Sequence, residues 1–133
     1  MKIIEEITVF SESGGRRHGD DGKLLQSPKG ALGEFQVMPA TARNPGFGIA
    51  PAKDDSPEEL ARVGREYLPA MLKEYKGDPA KMWAAYNAGP GTLDAALKES
   101  GETGIGWLSL MPADTQAYVA KNMAALEKAS ARP

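Results

Sequence analysis

A mainly α-helical fold follows from three features of the sequence. Apolar residues recur at helical spacing in several windows, a serine or aspartate followed by proline marks helix starts, and strand-like alternation is nearly absent. With 133 residues, 41% of them hydrophobic, the chain has the size of one domain around one core. Residues 1–129 are expected to form that domain and residues 130–133 a flexible tail.

Ile3, Ile4, Ile7 and Phe10 fall at helical spacing and predict a short amphipathic helix that stops at Gly14-Gly15, with Glu12 on its last turn. The next segment is polar and glycine-containing, and Asp21-Gly22 predicts the turn of a minimal hairpin near residues 16–30. From Gly33 to Thr41 a turn leads into short helical pieces, because Pro39 suits a first helical position. Asn44 to Asp55 is loop.

Ser56-Pro57-Glu58-Glu59 then supplies an N-cap serine, a proline at the first helical position and a glutamate placed to close a capping box. Leu60, Val63, Tyr67, Met71 and Tyr75 continue one face of that helix, and Pro69 predicts a kink in it. Asp78-Pro79 repeats the cap signal for a helix that stops at Gly89-Pro90-Gly91. A short helix is expected from Thr92 to about Ser100, and Pro112 opens the last one, with Tyr118, Val119, Met123 and Leu126 turned inward.

Composition excludes several function classes. The net charge is -2 and no Lys/Arg run forms a phosphate-neutralising stripe, so no nucleic-acid partner is expected. There is no cysteine, and His18 is the single histidine, which leaves no thiolate or zinc constellation; no metal and no cofactor are expected. The acidic N-terminus lacks the basic start and long apolar run of a signal peptide, and no stretch has the length for membrane insertion. The compartment is left open.

Chemistry must therefore come from carboxylates, hydroxyls, amides and backbone. Taken alone, Glu12 would be an ordinary solvated carboxylate, mildly misplaced at a helix C-terminus where the macrodipole disfavours negative charge. Asp20-Asp21 and Asp54-Asp55 lack the spacing of a cation loop and serve as turn and cap residues. Trp83 lies on an apolar helix and is assigned to the core, whereas Trp107, in a glycine-rich loop, is the better sugar-stacking candidate.

Three pieces change the weight of Glu12: Glu12-Ser13, then Ser27-Pro28-Lys29-Gly30-Ala31-Leu32-Gly33-Glu34-Phe35-Gln36-Val37-Met38-Pro39, then Ala85-Tyr86-Asn87-Ala88-Gly89-Pro90-Gly91. In that order they resemble the soluble lytic transglycosylase domain of the lysozyme-like superfamily, a relative of goose-type lysozyme, and the likeness extends from about Ile3 to Leu126. The resemblance implies a lysozyme-like fold and cleavage of the β-1,4 bond between N-acetylmuramic acid and N-acetylglucosamine in peptidoglycan, with glycan strands as partner and a monomeric domain.

By the same resemblance Glu12 is the catalytic residue. It protonates the leaving oxygen, then as carboxylate removes the proton of the muramyl C6 hydroxyl, which closes onto C1 as a 1,6-anhydro product. The first step needs a carboxylic acid that keeps its proton near neutral pH. One carboxylate then replaces the pair that ordinary glycosidases use. Ser27, Phe35, Gln36, Tyr86, Asn87 and Asp114 are the implied substrate-binding residues, Phe35 standing where the family has methionine.

The sequence departs from the family pattern at two places. Asp114-Thr115-Gln116 replaces a Glu-Thr-Arg run, and Glu34 replaces an apolar residue, either as a second acid near the cleft or as a solvent-facing substitution. Goose-type hydrolases carry aspartates where this chain has Ser27 and Met38, which favours transglycosylation. Two alternatives stay open: a muramidase hydrolysing the same bond, with Glu34 or Asp114 positioning water, and an inactive wall-binding or virion structural module. Action on the cell wall would place the domain in the periplasm or outside the cell, as part of a larger wall-degrading or phage virion protein or as cargo of a specialised exporter.

Overall fold

The computed structural model describes residues 1–101 and 105–131. Parts of the glycine-rich loop and of the expected tail, residues 102–104 and 132–133, lie outside the described residues. Helices are α1 (Lys2–Ser13), α2 (Pro39–Arg43), α3 (Pro57–Glu74), α4 (Pro79–Ala88), α5 (Pro90–Ser100) and α6 (Ala113–Ser130), with one 3-10 turn at Leu108–Leu110. The chain divides into two compact units, Met1–Ala70 and Met71–Pro133. Among the described residues no helix is long and apolar enough to cross a membrane.

In the first unit α1 ends where expected. Gly14 takes a left-handed conformation with φ 66° and its N–H donates to Phe10 O at 2.9 Å. Its apolar stripe, however, is not the buried face: Ile3 is 47% and Phe10 71% exposed, while Thr8 and Ser13 are buried. These hydroxyls can be buried because each finds a carbonyl, Thr8 donating to Ile4 O at 2.7 Å within the helix and Ser13 sharing its one proton between Val9 O at 3.0 Å and the closer Glu34 O at 2.7 Å. Glu12 lies one turn beyond Thr8 and hence on the same side of α1.

The predicted hairpin exists as backbone pairing without a regular strand. Leu25 N–H donates to Arg17 O at 2.8 Å and Gly19 N–H to Lys23 O at 2.8 Å, around a turn in which Asp21 Oδ1 accepts Lys23 N–H at 2.9 Å. A second reversal follows, where Leu32 and Val37 exchange both N–H···O bonds at 2.9 and 3.0 Å. Phe35, inside this reversal, is buried against α3 at Gly64; a Cβ on that glycine would meet Phe35 Cβ at 2.5 Å, so only glycine admits the ring. Arg65 covers the same ring, with its guanidinium 5.6 Å from the centroid.

Ser56 caps α3 as its sequence predicts, its hydroxyl accepting Glu59 N–H at 3.2 Å. The reciprocal half of the capping box is absent. Ser56 N–H donates to Asp54 Oδ1 and Glu59 turns to Lys53 N–H and Arg62 instead, because a guanidinium fork offers the carboxylate two stronger partners than one amide. The helix runs on through Pro69 to Glu74.

In the second unit Asp78 caps α4 through Ala80 and Lys81 N–H at 3.0 and 3.3 Å. Gly89, at φ 94°, closes α4 and also caps α5, which starts at Pro90, two residues before the Thr92 expected. Met82, Trp83, Leu93 and Val119 are fully buried; Tyr118, Met123 and Leu126 of α6 are half-buried, and Thr115 and Asn122 share its buried face with Val119.

Candidate active site

Glu12, Ser27 and Gln36, three of the residues singled out by the sequence, line one cavity of about 490 Å³ in the first unit, together with Ser11, Arg16 and Gln26. Its shape is fixed from the backbone outward. Gln36 holds a left-handed backbone conformation, φ 51°, which a side chain adopts only where its surroundings enforce it. The enforcing contacts are the Leu32–Val37 exchange on either side and the bond from Gln36 Nε2 to Gly33 O at 2.8 Å. Tying the amide nitrogen back leaves its oxygen as an acceptor.

Ser27 is held in a similar way. Its hydroxyl oxygen accepts Ala31 N–H at 3.0 Å, which fixes the oxygen and leaves the proton to be donated. The end of α1 is fastened to the Gly33–Gln36 reversal by Ser13, whose hydroxyl donates to Glu34 O at 2.7 Å and accepts Gly15 N–H at 3.2 Å. This bond joins the segment carrying Glu12 to the one carrying Gln36. Sequence reasoning named Ser13 in the Glu12-Ser13 motif but gave it no role, although a hydroxyl one residue past the candidate acid and just before a glycine pair was visible.

Glu34 is not solvent-facing, the second of the two roles weighed for it. Its carboxylate is mostly buried and paired with Arg17, whose Nε and Nη2 both lie 3.1 Å from Oε1, and Arg17 reaches on to Glu58 at 3.6 Å. It lines an adjoining, mostly apolar pocket of about 390 Å³ with Phe10, Phe35 and Arg65, which meets the larger cavity at Gly14. Glu12 is thus the one carboxylate lining the larger cavity among the described residues. Phe35 likewise belongs to the smaller pocket.

Tyr86, Asn87 and Asp114 belong to the second unit. Tyr86 and Asn87 form the last turn of α4; Tyr86 is half-buried, and Asn87 is exposed with its Oδ1 accepting the Thr115 hydroxyl at 2.8 Å. Asp114 is exposed in the first turn of α6, its Oδ1 accepting Thr115 N–H at 3.1 Å. Trp107 is half-buried just before the 3-10 turn. No group of three or more histidine, cysteine, aspartate or glutamate residues that could hold a metal ion occurs among the described residues.

Comparison with known proteins agrees with this fold. The 70 kDa soluble lytic transglycosylase from Escherichia coli matches with a TM-score of 0.71 at 26% identity, over 94% of this chain and 21% of that one. Soluble lytic murein transglycosylase from Escherichia coli K12 is 31% identical over 113 residues, which cover 77% of this chain and 17% of the relative. The Salmonella typhimurium protein of the same name is 31% identical over 112 residues, with the same coverage of both chains. The chain thus spans about a fifth or less of the length of these relatives. Residues 11–107 match the family model described as the transglycosylase SLT domain, and with most of its length inside that match the chain belongs to the transglycosylase SLT domain family.

Proposed function

We propose that the chain is a peptidoglycan lytic transglycosylase domain. It breaks the β-1,4 bond between N-acetylmuramic acid and N-acetylglucosamine, and Glu12 acts first as acid and then as base. The observation that carries this is the cavity in which Glu12 shares its walls with Ser27 and Gln36 and with no other carboxylate among the described residues. A hydrolase of the two-carboxylate kind needs a second acid for a nucleophile or a water-activating base. Glu34, the nearest such residue in sequence to Gln36, is held by Arg17 and lines another pocket, which favours ring closure by the substrate's own hydroxyl.

In this mechanism the protonated Glu12 donates to the glycosidic oxygen as the bond to C1 breaks. The resulting carboxylate takes the C6 hydroxyl proton, and the C6 oxygen bonds to C1. Protons balance, no water is consumed, and the product ends in 1,6-anhydromuramic acid. Ser27 as donor and Gln36 as acceptor orient the sugar, and Tyr86, Asn87 and Asp114 are assigned as further substrate contacts by their match to the family motif. Residues 1–129 act as one monomeric domain on the cell wall, without metal or cofactor.

Glu12→Gln tests the assignment, because it keeps size and shape but removes the acid. Lytic activity on purified sacculi is expected to fall by orders of magnitude while the thermal transition stays near wild type. Full activity in that variant rejects Glu12. Mass analysis of the muropeptides released by the wild type separates the two chemistries: an anhydro end is lighter by one water than the reducing end that hydrolysis leaves.

A further inference from the structure

We propose that Thr115 is a positioning residue, which locks the Asn87 amide so that its NH2 group, not its carbonyl, is offered to the glycan; this rests on the transglycosylase reading above. Thr115 is 2% exposed, and its hydroxyl makes a single hydrogen bond, donated to Asn87 Oδ1 at 2.8 Å. A threonine inside a helix normally gives its proton to the carbonyl three or four residues back. Here the hydroxyl bonds neither to the carbonyl four back, Met111 O, which accepts Gln116 Nε2 at 2.9 Å, nor to the one three back, Pro112 O, which accepts Gln116 N–H at 3.0 Å. The Thr115 proton is thereby directed at Asn87.

Turning the amide over would set its NH2 against the Thr115 oxygen and leave a buried hydroxyl proton without an acceptor. Such an orphan costs more than the bond itself is worth. The amide orientation is fixed by that asymmetry, and an exposed Asn87 with its oxygen engaged presents two N–H donors. The fitting partner is an acceptor oxygen on an N-acetylated sugar, its acetamido carbonyl above all.

The two departures from the family pattern support the same device. Asp114 Oδ1 accepts Thr115 N–H at 3.1 Å, one of the amides that a helix start leaves unpaired, and Gln116 Nε2 donates to Met111 O at 2.9 Å. Together they brace the first turn of α6 on both sides of Thr115. The shorter Asp114 and the uncharged Gln116 act on the helix end, and Thr115 transmits the geometry to Asn87.

The test is a mutant cycle read as kcat and KM on soluble glycan strands, with thermal melting in parallel. Thr115→Val is expected to lower kcat/KM about ten-fold, the scale of one directed hydrogen bond, and Thr115→Ser to restore most of it. On an Asn87→Ala background Thr115→Val should cost nothing further. Asn87→Asp keeps the acceptor for Thr115 but removes the donors, and should be as impaired as Asn87→Ala.

Full activity in Asn87→Asp overturns the donor assignment, and it is readable even if Thr115→Val fails to fold, since Asn87 is exposed. An undiminished Thr115→Val loss on the Asn87→Ala background would mean that Thr115 is merely structural. Glu12→Gln, measured beside them, reads the catalytic assignment by itself: if it is inactive while the cycle is additive, positioning fails and the proposed function stands. An active Glu12→Gln removes the proposed function.

Discussion

The segment from Arg17 to Val37 and the helices of the second unit hold their shape by different means, although α3 of the first unit also buries Leu60, Val63 and Leu68. In Met1–Ala70 the segment from Arg17 to Val37 has no regular strand and is fixed by individual hydrogen bonds: Leu25 to Arg17, Ser27 to Ala31, Leu32 to Val37 and Ser13 to Glu34. In Met71–Pro133 the helices α4, α5 and α6 bury Met82, Trp83, Leu93 and Val119, and apolar packing dominates. Packing distributes a perturbation over many weak contacts, whereas a single hydrogen bond sets one distance. A residue whose hydrogen bond fixes the Arg17–Val37 segment should therefore matter more to activity than to stability, and a core residue of the second unit the reverse.

The largest expected effect falls on the helical side. Trp83 is fully buried, and Trp83→Ala should cost about 3–5 kcal/mol, from lost transfer energy and the cavity left behind. Against a typical total of about 5–15 kcal/mol this is a large fraction, visible as a lower denaturant midpoint with an unchanged slope. What remains folded should retain most of its specific activity. A loss below about 1 kcal/mol would mean that the helices are not held by this core.

Ser13→Ala sharpens the contrast from the other side. The substitution favours the helix slightly but removes the bond to Glu34 O at 2.7 Å, so the net cost should be about 1 kcal/mol. Turnover should fall at least about ten-fold, because misplacing reacting groups by a fraction of an ångström is costly. The comparison breaks if the loss of activity merely tracks the loss of stability.

How much of this was legible in the sequence divides along the same line. Helix starts were readable because Ser56-Pro57 and Asp78-Pro79 state their geometry locally, in cap oxygens and a preset φ. The start of α5 was misread at Thr92 because Gly89-Pro90 serves as both stop and start, and the 3-10 turn at Leu108–Leu110 carried no local signal. In α1 the apolar stripe suggested the buried face, yet Thr8 and Ser13 are buried, since satisfied hydroxyls can occupy a close contact that bulkier residues cannot.

At the site, Glu12, Ser27 and Gln36 were named by motif, and their shared cavity follows from the turns between them. The partners of Glu34 and Asn87 were not legible, because Arg17 lies 17 positions and Thr115 28 positions away and only the folded chain brings them together. Phe35 shows the limit of motif transfer. The ring that replaces a methionine is accommodated by a glycine on α3 that no local pattern connects to it.

The smallest expected effect concerns a clamp of charge in the first unit. Arg62 grips Glu59 with Nε and Nη2 at 3.0 and 3.1 Å, and its Nη2 also donates to Ala50 O and Pro51 O, fastening the loop before α3. The Arg62 bonds first, and then the Lys53 N–H, hold the Glu59 carboxyl down from its ordinary 4.5 to about 2. A carboxyl lowered on folding contributes stability that is complete above its unfolded value and is lost as pH falls through the folded one. The melting temperature of the wild type should therefore decline between pH 4.5 and about 2, and that of Glu59→Gln should decline less. At neutral pH the variant should lose little, since partly exposed ion pairs contribute weakly, but amide exchange at Ala50, Ala52 and Lys53 should quicken. Parallel acid profiles for the two proteins would show that the loop is held by its backbone turns alone, which would place it with the Arg17–Val37 segment and not with the charged clamp.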